Sequence, residues 1–304
     1  MTPAVSVIIP TRNRADILRD TLPIFLDQDL GGSDYEVVIV DDDSPDDTEA
    51  VLDAFREHPR LRTWKLAREG TSAMGRARNH AIRAARGEVL VFVDDDCFVA
   101  RDFLKMHLEA HRGDDKVVAT GPIIYIHEPP GDVEREVRAP AKGHHNNPFP
   151  TCNASARRDF VLSCGLFDED FNVYGWEDME IWERFREAGA KRRYLRGAGA
   201  LHYKPKWTRP HFRDRLRTEV RRGAMGALYY SKWPKFGVGW QTKQLGVIRA
   251  VDSGLNALLD LDRRVLDILE GAPVPKSGVM RFLVKEHAEI SGGRLLGKLE
   301  GTAT

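Results

Sequence analysis

Long apolar runs are missing from this chain of 304 residues: no stretch approaches the roughly 18 that a membrane-spanning helix requires. Cysteine is scarce. Cys97, Cys152 and Cys164 form no CxxC and no paired spacing, which argues against a disulfide framework or a zinc knuckle. Charge of one sign is not in excess either: 46 basic side chains face 46 acidic ones, so bulk electrostatic binding to nucleic acid is not expected. Residues before Val5-Ser6-Val7-Ile8-Ile9 include no basic region and no cleavage site, so no signal peptide and a cytoplasmic protein are expected. There is no GxGxxG after that first apolar run and no GxxxxGK[ST] anywhere, so hydride transfer and P-loop phosphoryl transfer lose support. No internal repeat or low-complexity tract is present, and the length suits about two domains.

What is present centres on Val89-Leu90-Val91-Phe92-Val93-Asp94-Asp95-Asp96. Five apolar residues between Gly87 and three carboxylates read as a strand buried on both faces, its acids at the carboxyl end where open α/β sheets bind ligands. Three adjacent carboxylates suit solvent, or a divalent cation that takes oxygen ligands. Val37-Val38-Ile39-Val40 repeats the pattern and ends in Asp41-Asp42-Asp43-Ser44. Helices are expected from Asp16, as cap, through Leu26 with Pro23 interrupting, from Asp46 or Asp47 through Phe55, and in the Ala- and Arg-rich stretch to Ala85. Val5–Ile9 and Leu61–Leu66 supply two more strands. The first hundred residues thus alternate strand and helix, the signature of a parallel sheet wound with helices.

Further along, a helix is expected from Arg101 to about His111, and one strand from Val117 to Ile126 with Gly121-Pro122 inside it. Glu128–Pro150, with five prolines and His144-His145-Asn146-Asn147, reads as a long loop, either a lid or a surface insertion. Lys191–Leu195 and Ala200–Tyr203 are short strands. Glu177 and Asp178 sit in the first turn of a helix stopped by Gly189, where acids suit the helix dipole even without a function. Arg209–Arg222 places six arginines on a helical pattern, a solvated face or a contact for an anionic surface. Trp233–Gly246 reads as loop, Val247 to about Leu269 as one helix, and Met280–His287 as the last.

Motifs in order carry a family resemblance. Val5–Arg14, Val40-Asp41-Asp42-Asp43-Ser44, Ala77-Arg78-Asn79 with Ala85-Arg86-Gly87, Asp94-Asp95-Asp96, Cys152-Asn153-Ala154-Ser155, Gly165-Leu166-Phe167-Asp168-Glu169, Trp176-Glu177-Asp178-Met179-Glu180 and His202 together resemble glycosyltransferase family 2 across residues 3–207. Asp43 stands where the family has glycine, and so does Ala81. The Trp-Glu-Asp segment is also similar to that of β-1,4-galactosyltransferases and chondroitin-type polymerases. The resemblance implies an α/β GT-A fold, Rossmann-like, its mostly parallel central sheet flanked by helices. Residues 1–207 would form that domain, with nucleotide-binding and acceptor-binding halves meeting near residue 100, and 208–304 a largely helical extension.

It also implies roles. Pro10, Thr11, Arg12 and Asp42 would hold the base and ribose of a nucleotide-sugar, Asp42 by accepting from a base N–H. Arg78, Asp94 and Asp95 would approach the donor, though Arg78 also reads as a solvated helix arginine. Asp96, Asp94 and His202 would bind Mn²⁺ or Mg²⁺. Asp178 would be the base of an inverting transfer, and Trp176 and Glu177 would meet a carbohydrate or glycolipid acceptor, core packing being the other reading of Trp176. UDP follows from family habit, with GDP and dTDP open. A retaining enzyme and a non-catalytic sugar-binding relative are the rival readings. A nucleotidyltransferase would need a glycine-rich loop where Pro10–Arg14 stands.

Overall fold

Apolar side chains on successive strand residues point to opposite faces, so a run such as Val7-Ile8-Ile9 must be covered twice. The computed structural model describes residues 2–67, 74–138, 147–205 and 211–301. It divides into two compact units, Met1–Asp170 with Glu177–Lys206, and Phe171–Trp176 with Trp207–Thr304. The strands all lie in the first unit: β1 (Val5–Thr11), β2 (Tyr35–Asp41), β3 (Leu61–Lys65), β4 (Val89–Phe92), β5 (Cys97–Val99), β6 (Val117–Thr120), β7 (Ile123–Ile126), β8 (Ala154–Arg157), β9 (Lys191–Tyr194) and β10 (Ala200–Tyr203). Seven form a sheet in the order β3-β2-β1-β4-β8-β6-β9, and β5-β10-β7 form a second. β1 to β4 run parallel; β8 opposes both its neighbours.

Burial follows the alternation. Val7, Ile9, Ile39 and Val91 join Leu18, Leu22, Phe25 and Phe103 on one side. Ile8, Val38, Leu90 and Phe92 join Ala81, Ile82, Phe149 and Phe185 on the other. Each fully buried aliphatic side chain here contributes about 1.5–3 kcal/mol. Pro10 is tolerated in a central strand because β1 pairs with β4 only over Val5–Ile8, so no β4 partner is lost.

The helix Ala15–Leu26 begins before Asp16, contrary to the expected cap, and contains Pro23. Its first N–H groups find acceptors elsewhere: Ala15 N donates to Asp46 Oδ2 (3.1 Å) and Arg14 N to Thr48 Oγ1 (3.3 Å). The expected strand Val117–Ile126 is two strands in two sheets. Gly121 passes so close to the backbone that a Cβ there would lie 1.9 Å from Ala198 O, and Asn153 Nδ2 donates to Pro122 O and Ala198 O at 2.9 Å each. Strand β5 was not anticipated; its run is short and follows directly on the acids. Residues 139–146 of the expected loop lie outside the described residues, and the short helix Val133–Glu136 falls in its first part.

The second unit is helical. Phe212–Lys232 packs Leu216 and Val220 against Val265, Ile268, Val284, Ala288 and Leu295. Gly223 permits a close crossing, since a Cβ there would meet Glu289 O at 2.0 Å. The expected helix from Val247 to Leu269 is broken into Gly246–Leu259 and Leu261–Glu270 by Asp260, whose φ of 48° is left-handed. Asn256 supports the break: its carbonyl accepts from Asp260 N (2.8 Å) and its side chain from Asp262 N (2.9 Å). Phe236–Gln241 is a short helix within the expected loop, and Gly278–Ile290 is followed by one more helix, Gly292–Leu299. His287 is wholly buried, with Nδ1 2.8 Å from Asp252 Oδ1 and Nε2 2.7 Å from Asp262 Oδ1.

Candidate active site

Register brings the acids together. Thr11 pairs with Asp41 and Ile8 with Phe92, so β1, β2 and β4 release their chains at one sheet edge. Asp42 N donates to Thr11 O (3.0 Å) and Arg12 Nε to Asp42 O (3.1 Å), tying the turns after β1 and β2. Asp43 adopts φ 56°, the left-handed turn that glycine would make without strain. Asp42 is buried and its Oδ2 has no hydrogen-bond partner among the described residues. Buried polar atoms are normally paired, so this oxygen faces a place for a donor.

Asp95 is held from two sides: Thr11 Oγ1 donates to its Oδ2 (2.6 Å) and Thr21 Oγ1 to its backbone carbonyl (2.7 Å). Burial, with Asp96 and Asp94 beside it, pushes its carboxyl up to about 7. Asp96 is also buried, and burial alone would raise its carboxyl. His202, with Lys204 and Arg14, outweighs that and holds it below the usual range. His202 Nε2, carried on β10, lies 2.8 Å from Asp96 Oδ1 and 3.9 Å from Asp94 Oδ2. The ligand atoms of Asp94, Cys152 and His202 lie within 4.8 Å of one another, as do those of Asp96, Cys97 and His202. Burial raises both thiols well above their usual value, which leaves two carboxylates and an imidazole as the donor set. That set suits a divalent ion such as Mn²⁺.

Arg78 connects this edge to the helix Glu177–Glu187. It is buried, unlike a solvated helix arginine; Nη2 donates to Asp94 Oδ1 (3.2 Å) and Nη1 to Glu177 Oε1 (3.5 Å). Burial and the neighbouring Asp178 push Glu177 up to about 7, against the pull of Arg78. Burial raises Asp178 too, although Asn147 Nδ2 and Met179 N (2.8 Å) donate to its carboxylate. Trp176 belongs to the second unit. Its ring stacks on Tyr229 at 5.7 Å, its Nε1 donates to Arg222 O (3.0 Å), and the Arg222 guanidinium covers it.

Three contributors escaped the sequence reading. Arg14 approaches Asp95 (3.8 Å) and Asp96 (3.6 Å), and its place four residues after Pro10 was the available signal. Asn147 had none. Asn79 clamps Phe167 in both directions, Nδ2 to Phe167 O and Phe167 N to Oδ1 at 2.8 Å each, which explains why the two motifs occur together.

Comparison with known proteins gives the family and the fold. The model of glycosyl transferase family 2 matches residues 6–165. The uncharacterized glycosyltransferase YfnE of Bacillus subtilis (strain 168) is 27% identical over 253 residues, 65% of this chain and 64% of YfnE. Chondroitin synthase of Escherichia coli is 27% identical over 242 residues, 66% of this chain and 35% of that enzyme. The chain thus spans less than two thirds of either relative's length. Among solved structures, the mannosyltransferase PcManGT of Pyrobaculum calidifontis, in complex with GDP-Man and Mn²⁺, superposes with a TM-score of 0.57 at 21% identity, covering 98% of this chain and 88% of that one. The mixed α/β architecture is that of GT-A glycosyltransferases.

Proposed function

The chain belongs to glycosyl transferase family 2, and on that premise we propose that it transfers a sugar from a nucleotide-sugar to a hydroxyl of a saccharide or lipid-linked acceptor, with inversion at the anomeric carbon. One observation carries the reading. Buried Arg78 joins the acidic sheet edge, where Asp94, Asp96 and His202 gather, to the carboxylate pair Glu177 and Asp178. A donor and an acceptor site one arginine apart is what a displacement between two bound substrates needs.

Pro10, Thr11, Arg12 and the orphaned Asp42 Oδ2 receive the nucleoside, and we take UDP as its nucleotide. Arg78, Asp94 and Asp95 lie toward the donor sugar and diphosphate. Asp96, Asp94 and His202 would hold the divalent cation, which supplies charge neutralisation for the departing diphosphate. Asp178 accepts the proton of the attacking hydroxyl as the new bond to the anomeric carbon forms and the nucleoside diphosphate leaves. Its raised pKa brings it nearer to neutral, where a general base works best. Glu177, the preceding residue, holds the acceptor.

Arg209 lies outside the described residues; membrane contact by the arginines of the helix Phe212–Lys232 would rest on Arg215 and Arg221. Arg213 donates to Ile268 O, Arg217 to Leu269 O, and Arg222 lies 3.6 Å from Glu289. No helix among the described residues is long and apolar enough to cross a membrane.

Asp178→Asn is the test. It should retain nucleotide binding and lose about 10²–10⁴-fold in transfer rate, the usual worth of a general base. Full activity in that variant, or a product with retained anomeric configuration by NMR, overturns the assignment.

A further inference from the structure

β9 forms an outer edge of the seven-stranded sheet, and strand geometry divides its residues Lys191–Tyr194. Lys191 pairs with Asp114 (2.8 Å), and Arg193 donates to Ala110 O, so one face of the strand is satisfied within the protein. Arg192 and Tyr194 share the other face, and Arg196 follows in the turn after the strand. Arg192, Tyr194 and Arg196 line a cavity of about 440 Å³ whose other lining residues, among those described, are Thr120, Gly121, Asn147 and Pro150. That size suits a small-ligand site.

Two features give the cavity its chemistry. Arg192 lies over Trp182 at 5.9 Å, and neither Arg192 nor Arg196 has a carboxylate or hydrogen-bond partner among the described residues. Two guanidiniums in one wall without an acid between them repel each other, and their forked donors match a carboxylate or phosphate bidentately. The second feature is position. Asn147 lines the cavity and donates through its amide to the Asp178 carboxylate, so the cavity lies one side chain from the proposed base.

We propose that this cavity is an acceptor subsite for an anionic group, and that the acceptor carries a carboxylate or phosphate beside the hydroxyl that is glycosylated. This rests on the reading of Asp178 as the base. The neutral part of the acceptor then needs few contacts of its own, because the anion anchors it and Asn147 marks the turn toward Asp178.

The full chain, saturated with UDP and Mn²⁺ to fill the donor site, is titrated calorimetrically with three probes: methyl β-D-glucuronide, glycerol 3-phosphate and neutral methyl β-D-glucoside. At least one anion should bind about tenfold or more tightly than the glucoside, as one charge-assisted hydrogen-bonded pair provides. Whichever anion it is names the source as carboxylate or phosphate. Arg192→Gln/Arg196→Gln should abolish the preference, and Arg192→Lys/Arg196→Lys should restore part of it, since the charge returns without the fork. Both positions are exposed, so the variants should fold. Equal binding of all probes, no binding of either anion, or a preference that survives in the Gln variant overturns the proposal. Asp178→Asn separates the two readings: if it transfers sugar normally while the Gln variant has lost anion preference, the subsite stands and the base assignment falls.

Discussion

His107 and His111 stand one helical turn apart, and both reach Ser155 Oγ, at 2.8 Å each. His111 donating to Ser155, Ser155 to His107, and His107 to Asn153 Oδ1 (3.1 Å) links the groups in one chain with both rings neutral, while His111 Nδ1 has no partner among the described residues. Burial keeps them so, lowering His107 to about 3 and His111 to about 4. In the unfolded chain both would titrate near 6.5, so between pH 6.5 and about 4 the unfolded state binds more protons and stability falls as pH falls. Each histidine should withdraw about 2 kcal/mol between pH 7 and pH 5. Asp95 and Glu177, both pushed up to about 7, work in the opposite sense over the same range. The measurement is therefore the difference in urea unfolding free energy between wild type and His107→Gln at the two pH values, where the variant should lose about 2 kcal/mol less on acidification. An equal loss in both proteins would mean that His107 is charged in the fold. Cys152-Asn153-Ala154-Ser155 was legible as a motif, but its use of Asn153 and Ser155 inside the protein was not, because the histidines lie more than 40 residues away. The acids at the sheet edge were legible because they are adjacent in the chain. The burial of Arg78 was not, since a helical arginine looks alike in solvent and core.

Elements that a local rule specifies were readable. β1, β2 and β4 are short apolar runs rich in β-branched residues with punctuation at their ends, and that length and composition favour a strand over a buried helix. Elements that depend on distant partners were misread: Gly121-Pro122 divides two strands only because Asn153 and Ala198 wait there, and Asp260 divides two helices only because Asn256 turns back to cap the break. In the second unit, His287 on Gly278–Ile290 binds Asp252 on Gly246–Leu259 and Asp262 on Leu261–Glu270, and Asp262 also receives Lys298 (3.0 Å) from Gly292–Leu299. Four helices thus meet at one imidazole and its two acids. Removing the ring strands Asp252 in the interior, so His287→Ala should cost about 3–5 kcal/mol in denaturant unfolding of that unit. A cost under about 1 kcal/mol would mean that water or Ser291, already 3.1 Å from Asp252, replaces it.

At the scale of the whole molecule, the chain leaves the first unit at Phe171, returns at Glu177 and leaves again at Trp207, so neither unit is a continuous stretch. A sequence reading that cuts once near residue 207 has no means of seeing the first excursion, because Trp176 finds Tyr229 and Arg222 only in three dimensions. Stability of the sheet unit should respond to its ligands by mass action. UDP at about 100 times its Kd with Mn²⁺ should add about 2.7 kcal/mol, and Asp96→Ala should abolish the metal-dependent part of that gain in a thermal-shift assay. A gain that survives in the variant would move the cation away from Asp96. Finally, Gly121-Pro122 is the corner from which two registers are counted. On one side β6 is paired with β9, Thr120 against Tyr194; on the other β7 is paired with β10, Tyr125 against His202. The gap between the His202 cluster and the Arg192 face is consequently measured in backbone, not in side-chain rotamers. The corner acts as a ruler, fixing in backbone how far apart the two lie.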